Sequence, residues 1–587
     1  MNAQRTPPPT PTVLRGGLVY DGTGADPQSV DVWMRDGRIE ALTPWGTREA
    51  PSDVEEIDVS GRWVTPGFVD LHTHYDAEIE VLPGLSESVR HGVTTVVLGS
   101  CGLSMVMGQP EALADMFCRV EGIPRDVVLP LLERTKTWDD PGSYLTHLDE
   151  LSLGPNVAVM LGHSTIRAHV MGLGRSLEDG VTPSKDELGQ MVHILEEALD
   201  EGYLGLSINT LPWDKMDGDA YRSRPTPSVY AKWSEYRAFM KVLRRRDAVF
   251  QGVPDVSAKL NAVHFFFGSL GWFRRSLRTM IITLLDARAE RVSFRLVGFV
   301  AWLVNLVGGR FRLQSLPHAF DIWSDGLEVP VIEEFSAGTQ ALGLKDEEAR
   351  SSLLRDPSYR RQFKREWRGW FAKAYHRDLD EATIVNAPDP ALAGRSFAAV
   401  GKERGIDAVD AFLDLNADHG NALRWKSVIG NDRPRWVEWI ASHPAVLIGF
   451  SDAGAHLRNM AFYNFGLRLL KRVRDAGLAG RPFMSVARAV HRLTAEIADF
   501  IGIDAGRLEA GRRADVVVID PSALDDALER IEEAPMEGFA DLSRLVRRND
   551  AAVRGVWVGG HQAVEQGVPT DQLGHERLGR VLRRTTA

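Results

Sequence analysis

His72 and His74, in the stretch Thr65-Pro66-Gly67-Phe68-Val69-Asp70-Leu71-His72-Thr73-His74-Tyr75-Asp76, are the residues whose type and spacing point most directly to chemistry. The small and apolar residues before Asp70 read as a short buried strand opened by Pro-Gly, with the two histidines at its carboxyl end. On a strand, residues i and i+2 point to the same face, so both imidazoles aim at one place. Two neutral imidazoles on one side of a stiff element make half of a metal site. With 16 His among 587 residues, chance supplies about 0.4 His-x-His pairs per chain. The pair therefore takes its meaning from its setting.

That setting is a series of apolar strand-like runs alternating with helical stretches, at residues 94–98, 156–160, 204–208, 248–250, 280–284 and 445–448. Such alternation predicts βα units on a parallel sheet, and counted from Phe68 it fits a closed eight-unit (β/α)8 barrel of the TIM type with two insertions. In that fold the chemistry sits at the carboxyl ends of the strands. The polar residues fall there: His72 and His74 after the first run, Cys101 after the second, His163 after the third and Asn209 after the fourth. Gln251 follows the fifth, Asp286 the sixth and Asp452 the last.

A chain of 587 residues exceeds what one core supports, so a second, smaller domain is expected. Short strand runs with turn signals occupy residues 12–41 and return only at 514–520 and 553–560. Matching strands at both ends predict one small β-domain built from both termini, with the barrel inserted between, in preference to two separate small domains. The expected division is a loose tail at 1–11, the first part of the β-domain at 12–65, barrel at 66–500 with insertions around 263–380, and the rest of the β-domain at 501–587.

A net charge of −11 with 25% charged residues argues against a nucleic-acid binder, because phosphate contact needs concentrated Lys and Arg. Two cysteines, Cys101 and Cys118, make no disulfide framework and suit a reducing, cytoplasmic setting. Residues 1–11 lack the apolar run of a secretory signal. The most apolar stretch, 296–308, is about half the ~20 residues a membrane span needs, so no stable membrane insertion is expected. The Phe- and Trp-rich segments at 263–307 and around Trp367, Trp370 and Phe371 read first as core or as a roof over the barrel mouth, with a membrane-surface role as a lesser reading. A small-molecule partner is left open by this composition, as is homo-oligomer formation.

With these residues in view, the chain resembles the amidohydrolase superfamily and, within it, the D-aminoacylase (N-acyl-D-amino-acid deacylase) group. The matching stretches are residues 64–76, Ser88-Val89-Arg90-His91-Gly92-Val93-Thr94-Thr95-Val96-Val97 with Gly99-Ser100-Cys101-Gly102, and Gly162-His163-Ser164-Thr165-Ile166-Arg167. They continue with Gly449-Phe450-Ser451-Asp452-Ala453-Gly454-Ala455-His456-Leu457-Arg458 and, later, Ala489-Val490-His491-Arg492-Leu493-Thr494 and residues 506–515. The resemblance implies a metal-bearing barrel beside a β-sandwich, with His72, His74, a Cys101 thiolate and Asp452 as metal ligands and zinc as the cofactor, one ion with a second left open. It sets Asp452 beside the ion, where a carboxylate can take a proton from water and return it to the leaving amine.

Two positions depart from the family pattern. Gln251 and Asp286 stand where the family has His; Asp286 can replace an imidazole on zinc, whereas Gln251 is a hydrogen-bonding residue of the pocket. Arg458 matches the residue that holds the substrate's carboxylate, Arg288 stands where the family has a Lys near it, and His163 is a further pocket candidate. The expected function is metal-dependent hydrolysis of linear C–N amide bonds other than peptide bonds, with N-acyl-D-amino acids as the substrate class. The alternatives are a cyclic amide or imide hydrolase of hydantoinase type on the same scaffold, and a metal-free ligand-binding relative.

Overall fold

Eight parallel strands close into a barrel in a computed structural model that describes residues 7–255, 259–369, 373–539 and 541–585. They are β1 (Phe68–Asp70), β2 (Val93–Leu98), β3 (Asn156–Val159), β4 (Gly205–Asn209), β5 (Val249–Val253), β6 (Arg278–Ile281), β7 (Arg310–Gln314) and β8 (Val446–Leu447). Three are prolonged at the carboxyl end, β1 by His72–Thr73, β3 by Leu161–Gly162 and β8 by Phe450–Ala453. Each strand lies parallel to the next, and the ring closes where Phe450–Ala453 runs beside His72–Thr73. Val97, Ala158, Leu204, Val249, Met280 and Leu447 fill the interior and are plugged by Ile497 and Ile501. The strands are apolar on both faces because each is covered by helices outside and by this plug inside.

The expected run of strands is present, and β7 completes it. Its Arg310-Phe311-Arg312-Leu313-Gln314 alternates polar and apolar residues, with Phe311 and Leu313 buried, so it lacks the unbroken apolar run by which its neighbours are recognised. Segment 263–307, expected to be an insertion, supplies regular barrel parts instead: helix α1 (Lys259–Ser269), β6 and helix α2 (Ser293–Leu306). The large insertion lies between β7 and β8. There Phe320–Asp325, Thr383–Asn386 and Arg424–Gly430 form an antiparallel sheet packed by helices that include Pro357–Arg368 and Ala408–His419 around a separate core. Trp367 is buried in that core; Trp370 and Phe371 lie outside the described residues.

Both chain ends share one ten-stranded sheet. Trp63–Pro66 pairs antiparallel with Val516–Ile519, Val64 opposite Val518, and so joins the amino-terminal strands to the carboxyl-terminal ones. Their inward side chains, Leu14, Val32, Val64, Val516 and Trp557, form one cluster. The fold is thus a (β/α)8 barrel with a β-sandwich built from both termini. Among the described residues no helix is long and apolar enough to cross a membrane.

Candidate metal centre

His72 and His74 leave the end of β1 on one face, and both are buried. Cys101 follows β2 through Gly99, whose φ of 79° and whose Cβ position, 2.0 Å from the Met160 carbonyl oxygen, admit only glycine. That turn swings the thiol back over the barrel. His72 Nε2 lies 3.3 Å from Cys101 Sγ, and ligand atoms of His72, His74 and Cys101 all fall within 4.8 Å of one another. From the strand that closes the ring beside β1, Asp452 Oδ1 reaches to 3.4 Å from His74 Nε2 and 3.7 Å from His72 Nε2. Cys101 and Asp452 both hold left-handed backbone, φ 54° and 58°. Such strain in non-glycine residues costs roughly 1–3 kcal/mol each and gathers at functional sites.

β7 supplies a residue that the sequence reading missed. Gln314 Oε1 accepts from His72 Nδ1 at 2.8 Å; with the proton on Nδ1, Nε2 presents its lone pair to the cluster. Gln251 Nε2 stands 3.5 Å from the same Nδ1, so the Gln251 carboxamide flanks the ring from β5. Phe450 meets the His72 ring edge to face at 4.9 Å. Ser451 donates to the Asp70 carboxylate, which also accepts from the His72 amide at 3.3 Å, so β8 and β1 are tied at the closure.

Burial pulls His72 down to about 3 and raises the Cys101 thiol well above its usual value. His74 is lowered by burial but raised overall by Asp452, Asp76 and Asp214. Asp452, raised by burial, is driven down to about 2 by its hydrogen bond to His74 and by the charges of the histidines. A buried group of this kind, two imidazoles, a thiol and a carboxylate converging while His74 Nδ1 lacks a partner among the described residues, offers donors that suit a divalent metal ion. Asp76 and Asp214, each pushed up by burial to about 6, were also missed; their only sequence signal was position beyond a strand end.

A cavity of about 320 Å³ is lined by Asp214, whose charge acts on His74, and by His456, on which the charge of Asp452 acts; the four side chains of the cluster are not themselves part of its wall. Its walls come from the segments after β2 (Val120, Ile123), β4 (Trp213, Asp214, Lys215), β7 (Val329, Leu342) and β8 (His456). Arg119 and Arg222 in this wall are matched by Glu333 and Asp217. Lys215 has no hydrogen-bond or ion-pair partner among the described residues, and burial lowers it to about 8.

The other candidates from sequence are placed elsewhere. Asp286 lies five residues beyond the end of β6, where both its oxygens accept from Arg433, at 2.5 and 2.7 Å, with Arg291 3.5 Å away. Its carboxylate is thereby committed, and it does not join the histidines. Arg288 pairs with Glu381 and approaches Asp432 at 3.7 Å. Arg458 pairs with Asp325 at 2.5 Å and with Glu533, and it is not part of the cavity wall. His163 is buried between Ser228 and Glu235, both at 3.1 Å, and Glu235 in turn neutralises the buried Arg167. That network ties helix to loop and does not face the cluster.

A parallel barrel with strand-end histidines meeting a thiol and a last-strand carboxylate defines the class of metal-binding barrel hydrolases. The Amidohydrolase family matches residues 55–235. An uncharacterized protein of Mycobacterium tuberculosis is 47% identical over 554 residues, 93% of this chain and 90% of that one. The N-acyl-D-aspartate deacylase of Alcaligenes xylosoxydans xylosoxydans is 26% identical over 585 residues, 97% and 94% of the two chains. The crystal structure of N-acyl-D-glutamate deacylase from Bordetella bronchiseptica, complexed with zinc and a phosphonate inhibitor, superposes with a TM-score of 0.64 at 23% identity, covering 97% of this chain and 99% of that one. The chain belongs to the amidohydrolase superfamily, in its D-aminoacylase group.

Proposed function

We propose that the protein is a zinc-dependent deacylase of N-acyl-D-amino acids, holding one ion through His72, His74, Cys101 and Asp452. The convergence of those four side chains at the mouth of one barrel carries the reading. A divalent ion bound there supplies Lewis-acid polarisation of an amide carbonyl and acidifies a water. Asp452, ionised across the neutral range, takes the proton of the attacking water and returns it to the leaving amine nitrogen, so the C–N bond breaks with a free carboxylic acid and a free amine as products. Gln314 holds the His72 ring in one orientation by accepting from its Nδ1. The loops after β2 and β4 and the insertion form the walls of the cavity.

Lys215 is the unmatched cation in the cavity wall among the described residues, and it anchors the substrate's α-carboxylate as an ammonium–carboxylate pair. Arg458 and Arg288, expected in that role from sequence, are occupied by Asp325, Glu533 and Glu381. A single free cation between Trp213, Val120, Ile123 and Leu342 suits a substrate with one negative charge and apolar side chains in preference to an acidic amino acid. The test is metal analysis of the purified chain together with turnover of N-acetyl-D-leucine, N-acetyl-D-glutamate and hydantoin. Near-stoichiometric zinc and preference for the leucine derivative are expected. Metal below about a tenth of an equivalent, or preference for hydantoin, overturns the reading.

A further inference from the structure

The apolar segment 263–307 leaves an unusual surface. Helix α2 turns Phe294, Gly298, Ala301 and Val304 inward, Phe294 against Trp436 and Trp439. Its outer face carries Leu296, Phe299, Trp302, Leu303 and Leu306, and Leu296 and Leu306 are 65% and 67% exposed. A helix apolar on all sides ordinarily lies inside a protein or a bilayer; this one forms the outer wall of the barrel. The turn after α1 extends the patch with Trp272 and with Phe273, which is wholly exposed, and Trp272 Nε1 donates to the Val307 carbonyl at 3.3 Å, so turn and helix end form one face. Eleven of the fifteen large apolar side chains exposed among the described residues belong to this segment.

The charges around the patch run against the molecule as a whole. Residues 263–307 hold six arginines against Asp286 and Glu290, in a chain of net charge −11. Asp286 is committed to Arg433. Arg274 and Arg275 donate only to the backbone carbonyls of Phe267 and Arg245, and Arg295 lies over the Trp436 ring at 5.0 Å. None of these three arginines has a carboxylate partner among the described residues. The turn 270–276 and the link 307–309 lead into the amino-terminal ends of β6 and β7, on the side of the barrel opposite the metal cluster.

We propose that this face docks on an anionic lipid surface, with α2 lying in the plane of the interface and Trp272 and Phe273 entering the headgroup boundary. Aromatic and aliphatic side chains rimmed by unmatched arginines are the chemistry that such a surface takes. A second copy of the chain fits it less well: a two-fold contact would bring two copies of the same carboxylate-free arginine rim into one interface. With docking on the flank and base, the catalytic mouth stays open to water. The inference does not depend on the substrate reading above.

The test is flotation of the full chain with extruded vesicles of phosphatidylcholine alone and with about a third phosphatidylglycerol. The chain is expected to float with the anionic vesicles, much less with the neutral ones, and less in high salt. Phe273→Ser/Trp302→Ser should weaken partition by about tenfold or more, and Arg274→Ser/Arg275→Ser should remove the preference for phosphatidylglycerol. Each variant should keep the parent's melting curve and metal content. Because Phe273 and both arginines sit on an exposed turn, Phe273→Ser alone serves if the double variant unfolds. Absence of flotation, or equal flotation by the variants, overturns the proposal. So does a dimer in sedimentation velocity that Phe273→Ser/Trp302→Ser dissociates, which would assign the face to a second copy.

Discussion

In the proposed mechanism Asp452 and Lys215 divide the chemistry between proton transfer and anchoring, and each separates cleanly in kinetics. In Asp452→Asn the geometry is kept but the proton acceptor is lost, so kcat should fall by about 10³-fold or more while three ligands retain the ion. Turnover close to the parent would remove Asp452 from the mechanism. Lys215→Met should raise KM for an N-acyl amino acid and leave kcat nearly unchanged, since the contact is made equally in ground and transition states. Lys215 also sets a pH signature. Burial and the neighbouring Arg119 lower it to about 8, against the support of Asp214; Glu333, Asp217 and Arg222 across the cavity are already paired. A lysine is charged below its pKa, so affinity for the anionic substrate should hold below pH 8 and decline above it. A KM profile flat to pH 10 would exclude Lys215 as the anchor.

At the scale of elements, the strand ends explain both what was legible in the sequence and what was not. His72, His74, Cys101 and Asp452 were readable because each follows a recognisable apolar run, and residue type plus strand-end position determines where a side chain points in this fold. Gln314 was hidden because β7 alternates, in the manner of a half-exposed strand. Asp286 misled because it was counted from a run at 280–284, whereas β6 ends at Ile281; the extra residues carry the carboxylate to Arg433. Arg458 and Arg288 could not be resolved at all, since their acidic partners Asp325, Glu533 and Glu381 are remote in sequence. Two substitutions test these elements. Gln314→Leu removes the acceptor that orients His72 and should weaken metal affinity by about 10–100-fold, measured by competition with a chelator. Asp286→Asn should leave metal stoichiometry at the parent value and lower stability instead, by about 1–3 kcal/mol; loss of the ion would return Asp286 to the ligand set.

A few buried ion pairs cross between the parts of the molecule. The hairpin of Glu532–Pro535 and Ser543–Val546 sits at the junction. Arg544 reaches Glu78 beside the first barrel strand, with contacts at 2.7 and 3.1 Å and both side chains buried, while nearby Arg547 reaches Asp321 of the insertion. Glu78 is raised by burial and held down by Arg544. In Arg544→Met the carboxylate loses its partner without leaving the interior, which should cost about 3–5 kcal/mol in urea unfolding. Glu78→Gln/Arg544→Met, which removes both charges, should recover a large part of that loss. The sign of the pH effect follows from the same burial. A carboxyl whose folded pKa lies above its unfolded value binds a proton more readily in the folded chain, so stability rises as pH falls towards the unfolded value. Removing Arg544 raises the folded Glu78 pKa further. The deficit of Arg544→Met relative to the parent should therefore shrink between pH 7 and pH 5, whereas the double variant, which has lost the titrating carboxyl that the parent keeps, should show no such shrinkage; a deficit of Arg544→Met that grew on acidification would place the stabilising role of Arg544 somewhere other than Glu78.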